Sequence, residues 1–350
     1  QLGFDTHARG FLTSGGTLAN LTALLAARSV KDGTAVWKNG YEESLGILVC
    51  EEAHYCVDRA ARIMGLGDKG ILKVPATINY AMDTTALEAT LEKAKQAGIQ
   101  VFAIVGSAPS TATGIIDPLD KIASFAQKHG LWFHVDAAHG GAAIYAQQFK
   151  QDLAGIEKAD SVAIDGHKMM MMPALTTALL FKDGSHSYQT FSQKADYLLS
   201  DADHEDWYNM AKRTFECTKS MLSIRWFVLR KQYCPSVFDE VVSALYQLGL
   251  QFAAIIQKDP DFELALAPQT NIVCFRMVQK QLSKQALNTL NERLRFALVQ
   301  EGSFYIVQTK LRGTHYLRVT IMNPKTDPDT LSALLIHLKE LAKPILQNLK

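Results

Sequence analysis

Three short stretches of this 350-residue chain combine residue types and spacings that can do chemistry. Thr13-Ser14-Gly15-Gly16-Thr17 opens an apolar run, LANLTALLAAR. Two glycines let the backbone turn tightly, and helix N-terminal amides beside Ser and Thr hydroxyls make an anion site. The same residues also read as an ordinary N-cap. They form neither a G-x-G-x-x-G loop nor a P-loop, since no Gly-Lys-Ser/Thr follows. The second stretch, His134-Val135-Asp136-Ala137-Ala138-His139-Gly140-Gly141, ends an apolar run, LWFHV. An Asp at the end of a buried strand sits where open α/β sheets bind ligands, and a partly buried carboxylate calls for a cationic partner. The small Ala-Ala step leaves room for a flat ring, although Asp136 could equally cap the next turn. The third, Asp165-Gly166-His167-Lys168, leads into Met169–Met172. An amine between a strand end and an apolar run suits Schiff-base chemistry, whereas most loop lysines are simply solvated. His54 follows the run GILVC and Glu51-Glu52-Ala53. A lone His is commonly structural, but this one falls on the same predicted sheet edge as Asp136 and Lys168.

The elements that must position these groups alternate. Strand-length apolar runs at 46–50, 71–74, 101–105, 131–135, 161–164 and 175–181 are separated by amphipathic helical patterns at 17–29, 55–64, 84–97 and 119–129. Near-continuous apolar strands between helices imply an α/β fold, a mostly parallel sheet covered on both faces. From about 185 to 210 the composition turns polar, ending SDADHEDWYNM, a candidate mobile segment. A helix is predicted at 215–231, broken at Cys234-Pro235. Beyond it, helices at 237–257, 283–300 and 329–349 and strands at 272–277, 304–308 and 316–321 predict a smaller α+β domain. The expected division is 1–232 and 233–350. The glycine loop arrives a dozen residues in, before any complete strand, so an N-terminal segment is expected to be missing.

Hydrophobic residues make up 48% and charged residues 20%, enough for a large core and incompatible with disorder. Lys+Arg number 36 against 35 Asp+Glu, so no charge excess points to nucleic acid or a membrane surface. Cys50, Cys56, Cys217, Cys234 and Cys274 are scattered and never spaced C-x-x-C, which argues against disulfides or a metal site and favours a reducing cytoplasm. No apolar run approaches the roughly 20 residues of a membrane span, and the first residues do not read as a signal peptide.

Taken together, a phosphate at Gly16 and Thr17, a pyridinium nitrogen at Asp136 and an aldehyde at Lys168 describe one cofactor, pyridoxal 5'-phosphate (PLP). The segments TSGGTLANLTALLAAR, CEEAHYCVDRA, HVDAAHGG, ADSVAIDGHK and HYLRVTIMNP resemble the PLP-dependent amino-acid decarboxylases of the glutamate, aromatic-amino-acid, histidine and diaminobutyrate decarboxylase group. The resemblance implies PLP fold type I: a large domain with a mixed seven-stranded sheet flanked by helices, a smaller C-terminal domain, and a homodimer with sites at the subunit interface. It makes Lys168 the Schiff-base lysine, Asp136 the partner of the ring nitrogen, and His54 and Ala138 the groups on the two ring faces. Gly16, Thr17, Ser161 and His167 would hold the phosphate, and Thr111 would lie near the ring and the reacting carboxylate.

The implied activity is loss of CO2 from an L-amino acid, leaving the amine. Several departures from the family pattern bear on the details. Asp165-Gly166 stands where Asn-Pro or Asp-Pro is usual, and His139 replaces an aromatic residue. That replacement and the S-G-G-T loop favour acidic or diaminobutyrate-like substrates over aromatic ones. Tyr197 and Tyr208 are candidates for protonating the product carbon. The rival readings are another fold type I enzyme, an aminotransferase or lyase, and a degenerate PLP-binding homologue. An aminotransferase would use a carboxylate-binding arginine, for which Arg318 is the candidate, although its alternating strand pattern equally allows an outward, solvated side chain.

Overall fold

The chain is described by a computed structural model over residues 1–32, 35–191, 210–234, 236–347 and 349. It divides into two compact units, Gln1–Thr111 with Ile116–Glu240, and Ala112–Ile115 with Val241–Lys350.

In the larger unit the elements run β1 (Arg9–Thr13), α1 (Gly16–Lys31), α2 (Ala35–Asn39), β2 (Ser44–Cys50), α3 (Tyr55–Ile63), β3 (Ile71–Val74), α4 (Leu87–Gln96), β4 (Ile99–Ser107), α5 (Leu119–His129), β5 (Trp132–Asp136), β6 (Ser161–Asp165), β7 (Thr177–Phe181) and α6 (Ser223–Gln232). The strands form one mixed seven-stranded sheet, ordered β1-β7-β6-β5-β4-β2-β3. β3, β2, β4, β5 and β6 are parallel, while β7 runs antiparallel to both β6 and β1. β5 and β6 are buried throughout and β2 from Leu45 onward, as parallel strands covered on both faces must be. Small residues on α1 (Ala19, Ala23, Ala26 and Ala27) are fully buried, which lets the helix lie close against the sheet.

Three local expectations need correction. A complete strand, β1, does precede the glycine loop. It is a short edge strand of RGFLT whose first residues are exposed, so it lacks the continuous apolar run that marks its neighbours. The helix expected at 215–231 contracts to α6. Upstream, the Thr214 hydroxyl bonds Met210 O and Glu216 O, the kind of side-chain competition that diverts a backbone from helix. The helix expected from 84 begins at Leu87, because the Asp83 carboxylate accepts from Thr85 N–H and caps a separate 3-10 turn at Thr84–Ala86.

The smaller unit carries most of α7 (Val237–Lys258), then β8 (Phe262–Leu264), β9 (Ile272–Met277), α8 (Lys284–Glu301), β10 (Val307–Leu311), β11 (Thr314–Thr320) and α9 (Pro328–Gln347). Its antiparallel sheet is ordered β10-β11-β9-β8. The strand expected at 304–308 lies later, because the hairpin closes on Arg312-Gly313 with φ of 46° and 77°. Positive φ at both central residues is what a tight two-residue hairpin turn requires. Arg318, on β11 opposite Cys274, is half-buried, and burial lowers its pKa below the usual guanidinium value; the outward, solvated reading fails.

Candidate active site

In the larger unit, β1, β2, β4, β5 and β6 all deliver their carboxyl ends to one edge of the sheet, where open α/β sheets place ligands. The turns beyond those ends line a cavity of about 300 Å3, at the small end of the ligand-pocket range. Gly16, Thr17, His54, Thr111, Asp136, Ala138, His167 and Lys168 all line it. Groups drawn from loops 150 residues apart in sequence are thus brought together. Ser161 is not among them. It begins β6, at the opposite end of the strand from Asp165, and its hydroxyl is engaged by Trp132 Nε1 at 2.9 Å and His134 Nδ1 at 2.8 Å. The phosphate role expected of Ser161 is therefore withdrawn.

The glycine loop shows why glycine stands there. Gly15 has φ 117°, a backbone angle that L side chains rarely adopt, and it precedes α1 without any side-chain cap bond. A Cβ on Gly16 would sit 3.1 Å from Asp165 Oδ1 and 3.4 Å from Ala138 Cβ. Gly16 thus keeps the helix N-terminus open onto the cavity. Asp165, the last residue of β6, is almost completely buried; its Oδ2 lies 2.9 Å from Lys168 Nζ, and Thr177 donates to Oδ1. His167 Nδ1 lies 3.1 Å from Thr176 N, and its Nε2 is 3.7 Å from Asp165 Oδ2.

Asp136 ends β5. Its Oδ1 accepts from Ala138 N–H at 3.2 Å and its Oδ2 from the Cys56 thiol at 3.7 Å. His54 caps α3 by accepting from Cys56 N–H at 3.3 Å. Burial lowers its pKa, an effect that Asp136 opposes and Lys168 reinforces. The Ser110 hydroxyl donates to Glu52 O at 2.6 Å, tying the turn that carries Thr111 to the one that carries His54. Sequence reading missed Asn20 and Cys56, which also line the cavity. The available signals were position: Asn20 lies one turn into the helix after Gly16, and Cys56 lies two residues beyond His54. Tyr197 and Tyr208 lie outside the described residues.

An amine, a strand-end carboxylate, a half-buried imidazole and an uncapped, glycine-led helix N-terminus share one cavity. That donor set fits PLP, whose aldehyde, ring nitrogen and phosphate need such partners. His54, Cys56 and Asp136 each offer a ligand atom within 4.8 Å of the others, a spacing that also suits a metal ion.

Comparison with known proteins decides the matter. Residues 1–278 match the pyridoxal-dependent decarboxylase conserved domain. The chain belongs to the pyridoxal-dependent decarboxylase family. It is 30% identical to an aspartate 1-decarboxylase from Aliivibrio fischeri, over 96% of this chain and 67% of that protein. It is 28% identical to an L-2,4-diaminobutyrate decarboxylase from Acinetobacter baumannii, over 97% of this chain and 69% of the relative. Among solved structures, mouse CSAD superposes with a TM-score of 0.91 at 25% identity, covering 98% of this chain and 73% of that one. The family is one of PLP-dependent carboxy-lyases, so amino-acid decarboxylation with PLP as cofactor is this chain's activity. The aminotransferase and lyase alternatives gain no support. No described helix is long and apolar enough to cross a membrane.

Proposed function

We propose that this decarboxylase acts on an acidic or diaminobutyrate-like L-amino acid, through a cofactor site built from Lys168, Asp136, His54 and the Gly16-Thr17 helix start. The observation that carries the site is the convergence of those groups on one cavity from separate turns of the sheet edge. The relatives named for aspartate and diaminobutyrate support the substrate class, as does a buried His139 at a cavity position where the family pattern usually carries an aromatic residue.

Bound there, PLP supplies the electron sink that stabilises the negative charge left on Cα as CO2 departs. The chain's residues supply position and electrostatics. Lys168 Nζ is the amine that would hold the cofactor's aldehyde. Asp136 holds the proton on the ring nitrogen. His54 and Ala138 cover the ring faces and exclude water. Gly16, Thr17 and His167 hold the phosphate. Thr111 orients the carboxylate that leaves.

The proposal extends to a PLP-binding large domain at 1–232, a small domain at 233–350, a homodimer and a cytoplasmic location. All five cysteines are free thiols, in keeping with a reducing compartment. Exposed apolar residues on and before α6, among them Met221 and Phe227, are what a subunit interface would cover.

A panel assay tests the function. PLP-loaded protein is given L-aspartate, L-glutamate, L-2,4-diaminobutyrate and L-tryptophan, with CO2 and keto acid measured in one vessel. Stoichiometric CO2 and amine from an acidic or diamino substrate is the expected result. Preference for tryptophan would overturn the substrate assignment, and keto acid as main product would overturn the reaction.

A further inference from the structure

A buried hydrogen-bond chain ends on Asp136. Trp132 Nε1 lies 2.9 Å from Ser161 Oγ, Ser161 Oγ 2.8 Å from His134 Nδ1, and His134 Nε2 2.7 Å from Asn20 Oδ1. Asn20 Nδ2 then reaches Gly16 O at 2.9 Å and Cys56 Sγ at 3.4 Å, and Cys56 Sγ reaches Asp136 Oδ2 at 3.7 Å. All six residues are buried.

Donor chemistry fixes the direction. Indole N–H can only donate, so Ser161 accepts from Trp132. Asn20 Nδ2 faces a carbonyl and a sulfur, which leaves Oδ1 toward His134, and His134 Nε2 therefore carries a proton. Burial pushes the pKa of His134 down to about 4, so the ring is neutral and Nδ1 is bare, accepting from the Ser161 hydroxyl. The Ser161 carbonyl, 3.1 Å from Nδ1, favours the other tautomer. That tautomer requires Asn20 to flip, which sets its oxygen 2.9 Å from Gly16 O, two acceptors face to face. At the far end a carboxylate can only accept, so the Cys56 thiol donates to Asp136. Five hydrogen bonds thus run one way, Trp132 to Ser161 to His134 to Asn20 to Cys56 to Asp136. Chains of this kind polarise each successive donor.

We propose that Cys56 is a positioning residue whose thiol proton, oriented by this chain, holds the Asp136 carboxylate in place for the cofactor ring. The inference rests on the cofactor site proposed above. Oδ1 is fixed by the Ala138 amide and Oδ2 by the thiol, so the carboxylate is restrained from both sides. Loss of the thiol frees one side and leaves Asn20 Nδ2 without its sulfur acceptor.

The test compares the full chain with C56S, which keeps a donor, and C56V, which keeps bulk without one. Three readouts are taken: PLP dissociation constant by equilibrium dialysis, the pH midpoint of the bound cofactor's visible absorbance, and the melting temperature of the cofactor-free protein. C56V is expected to bind PLP at least about tenfold more weakly, with a displaced absorbance midpoint and little change in melting temperature. C56S is expected within about threefold of the parent. If C56V melts early, N20L, which breaks the chain one step back, takes its place with the same expectation. A C56V protein that matches the parent in both affinity and absorbance midpoint overturns the proposal, as does C56S behaving like C56V. A parent that binds no PLP overturns the cofactor site itself, which separates that failure from this one.

Discussion

Lys168 Nζ and Asp165 Oδ2 lie 2.9 Å apart at the end of β6, the lysine half-buried and the carboxylate almost wholly so. Asp165 is further supported by the Thr177 hydroxyl, which donates to Oδ1, and by His167 Nε2, 3.7 Å from Oδ2. The pair places the amine at the cavity wall and gives it a counter-charge when it is not covalently engaged. Borohydride reduction of PLP-loaded protein, followed by peptide mapping, is expected to label Lys168. Asp165→Asn should still label there, but with cofactor incorporation slowed by about tenfold or more. Labelling of a different lysine would contradict the assignment.

Asp136 offers the second prediction. A carboxylate that keeps a ring nitrogen protonated sustains the electron sink, and Asn cannot do so. Asp136→Asn is expected to lose at least about 100-fold in turnover, about 2.7 kcal/mol of transition-state stabilisation. Near-parental CO2 release from that variant would place the ring elsewhere.

Stability should respond to pH through two buried groups of opposite sign. Burial lowers the pKa of His134 from 6.5 to about 4, so the native state resists a proton that the unfolded chain accepts. Its contribution is present above pH 6.5 and is lost as pH falls toward 4, about 3 kcal/mol in all. Burial raises the pKa of Asp117 from 3.8 to about 6, outweighing the amides of Met82 and Ser107 that donate to it. Its contribution is present below pH 3.8 and is lost as pH rises through 6, by a similar amount. The two slopes oppose one another between pH 4 and 6. Denaturant melts across that range should therefore tilt one way in His134→Gln, becoming more stable as pH falls, and the other way in Asp117→Asn. Parallel profiles in the two variants would refute the assignment.

These two groups also mark where sequence reading stops. Strands buried on both faces announce themselves as apolar runs, and glycine loops and H-V-D-A-A show which ends carry chemistry, so six of the seven strands and eight residues that line the cavity were legible. Ser161 was not placed correctly. A strand's first and last residues differ by some 13 Å in position though only four in number, and only the fold decides which end faces the cavity. His134 lies two residues before Asp136 on the same strand, yet its bonds run to Asn20 and Ser161, 114 and 27 residues away. Such pairings leave no periodicity to read.

Gly16 gives a prediction with two readouts that move apart. Alanine suits a helix interior better than glycine by about 1 kcal/mol, a gain that the tight approach of the new Cβ at this first helical position offsets, so Gly16→Ala should change the stability of the cofactor-free protein little. Its Cβ, however, meets Asp165 Oδ1 at 3.1 Å and Ala138 Cβ at 3.4 Å at the cavity wall. Asp165 is held by Lys168 and Thr177 and has little freedom to retreat. PLP affinity is expected to fall by about tenfold. Unchanged affinity would mean that the helix start does not face the phosphate.

The last prediction concerns assembly. Ile224, Phe227 and Val228 fall at i, i+3 and i+4 of α6, and all are exposed, Phe227 by 58%. Residues so spaced share one helix face, and an exposed apolar face of this kind marks a contact surface. In a two-fold dimer every substitution occurs twice. Removing one buried Phe side chain costs about 2 kcal/mol, so Phe227→Glu should weaken association by about 4 kcal/mol, near a thousandfold. Sedimentation or light scattering across a dilution series is expected to show a dimer for the parent and a shift toward monomer for the variant, with CO2 release falling alongside it. A parent that is monomeric and fully active at every concentration would remove the dimer, and a variant that dimerises as the parent does would move the interface away from α6.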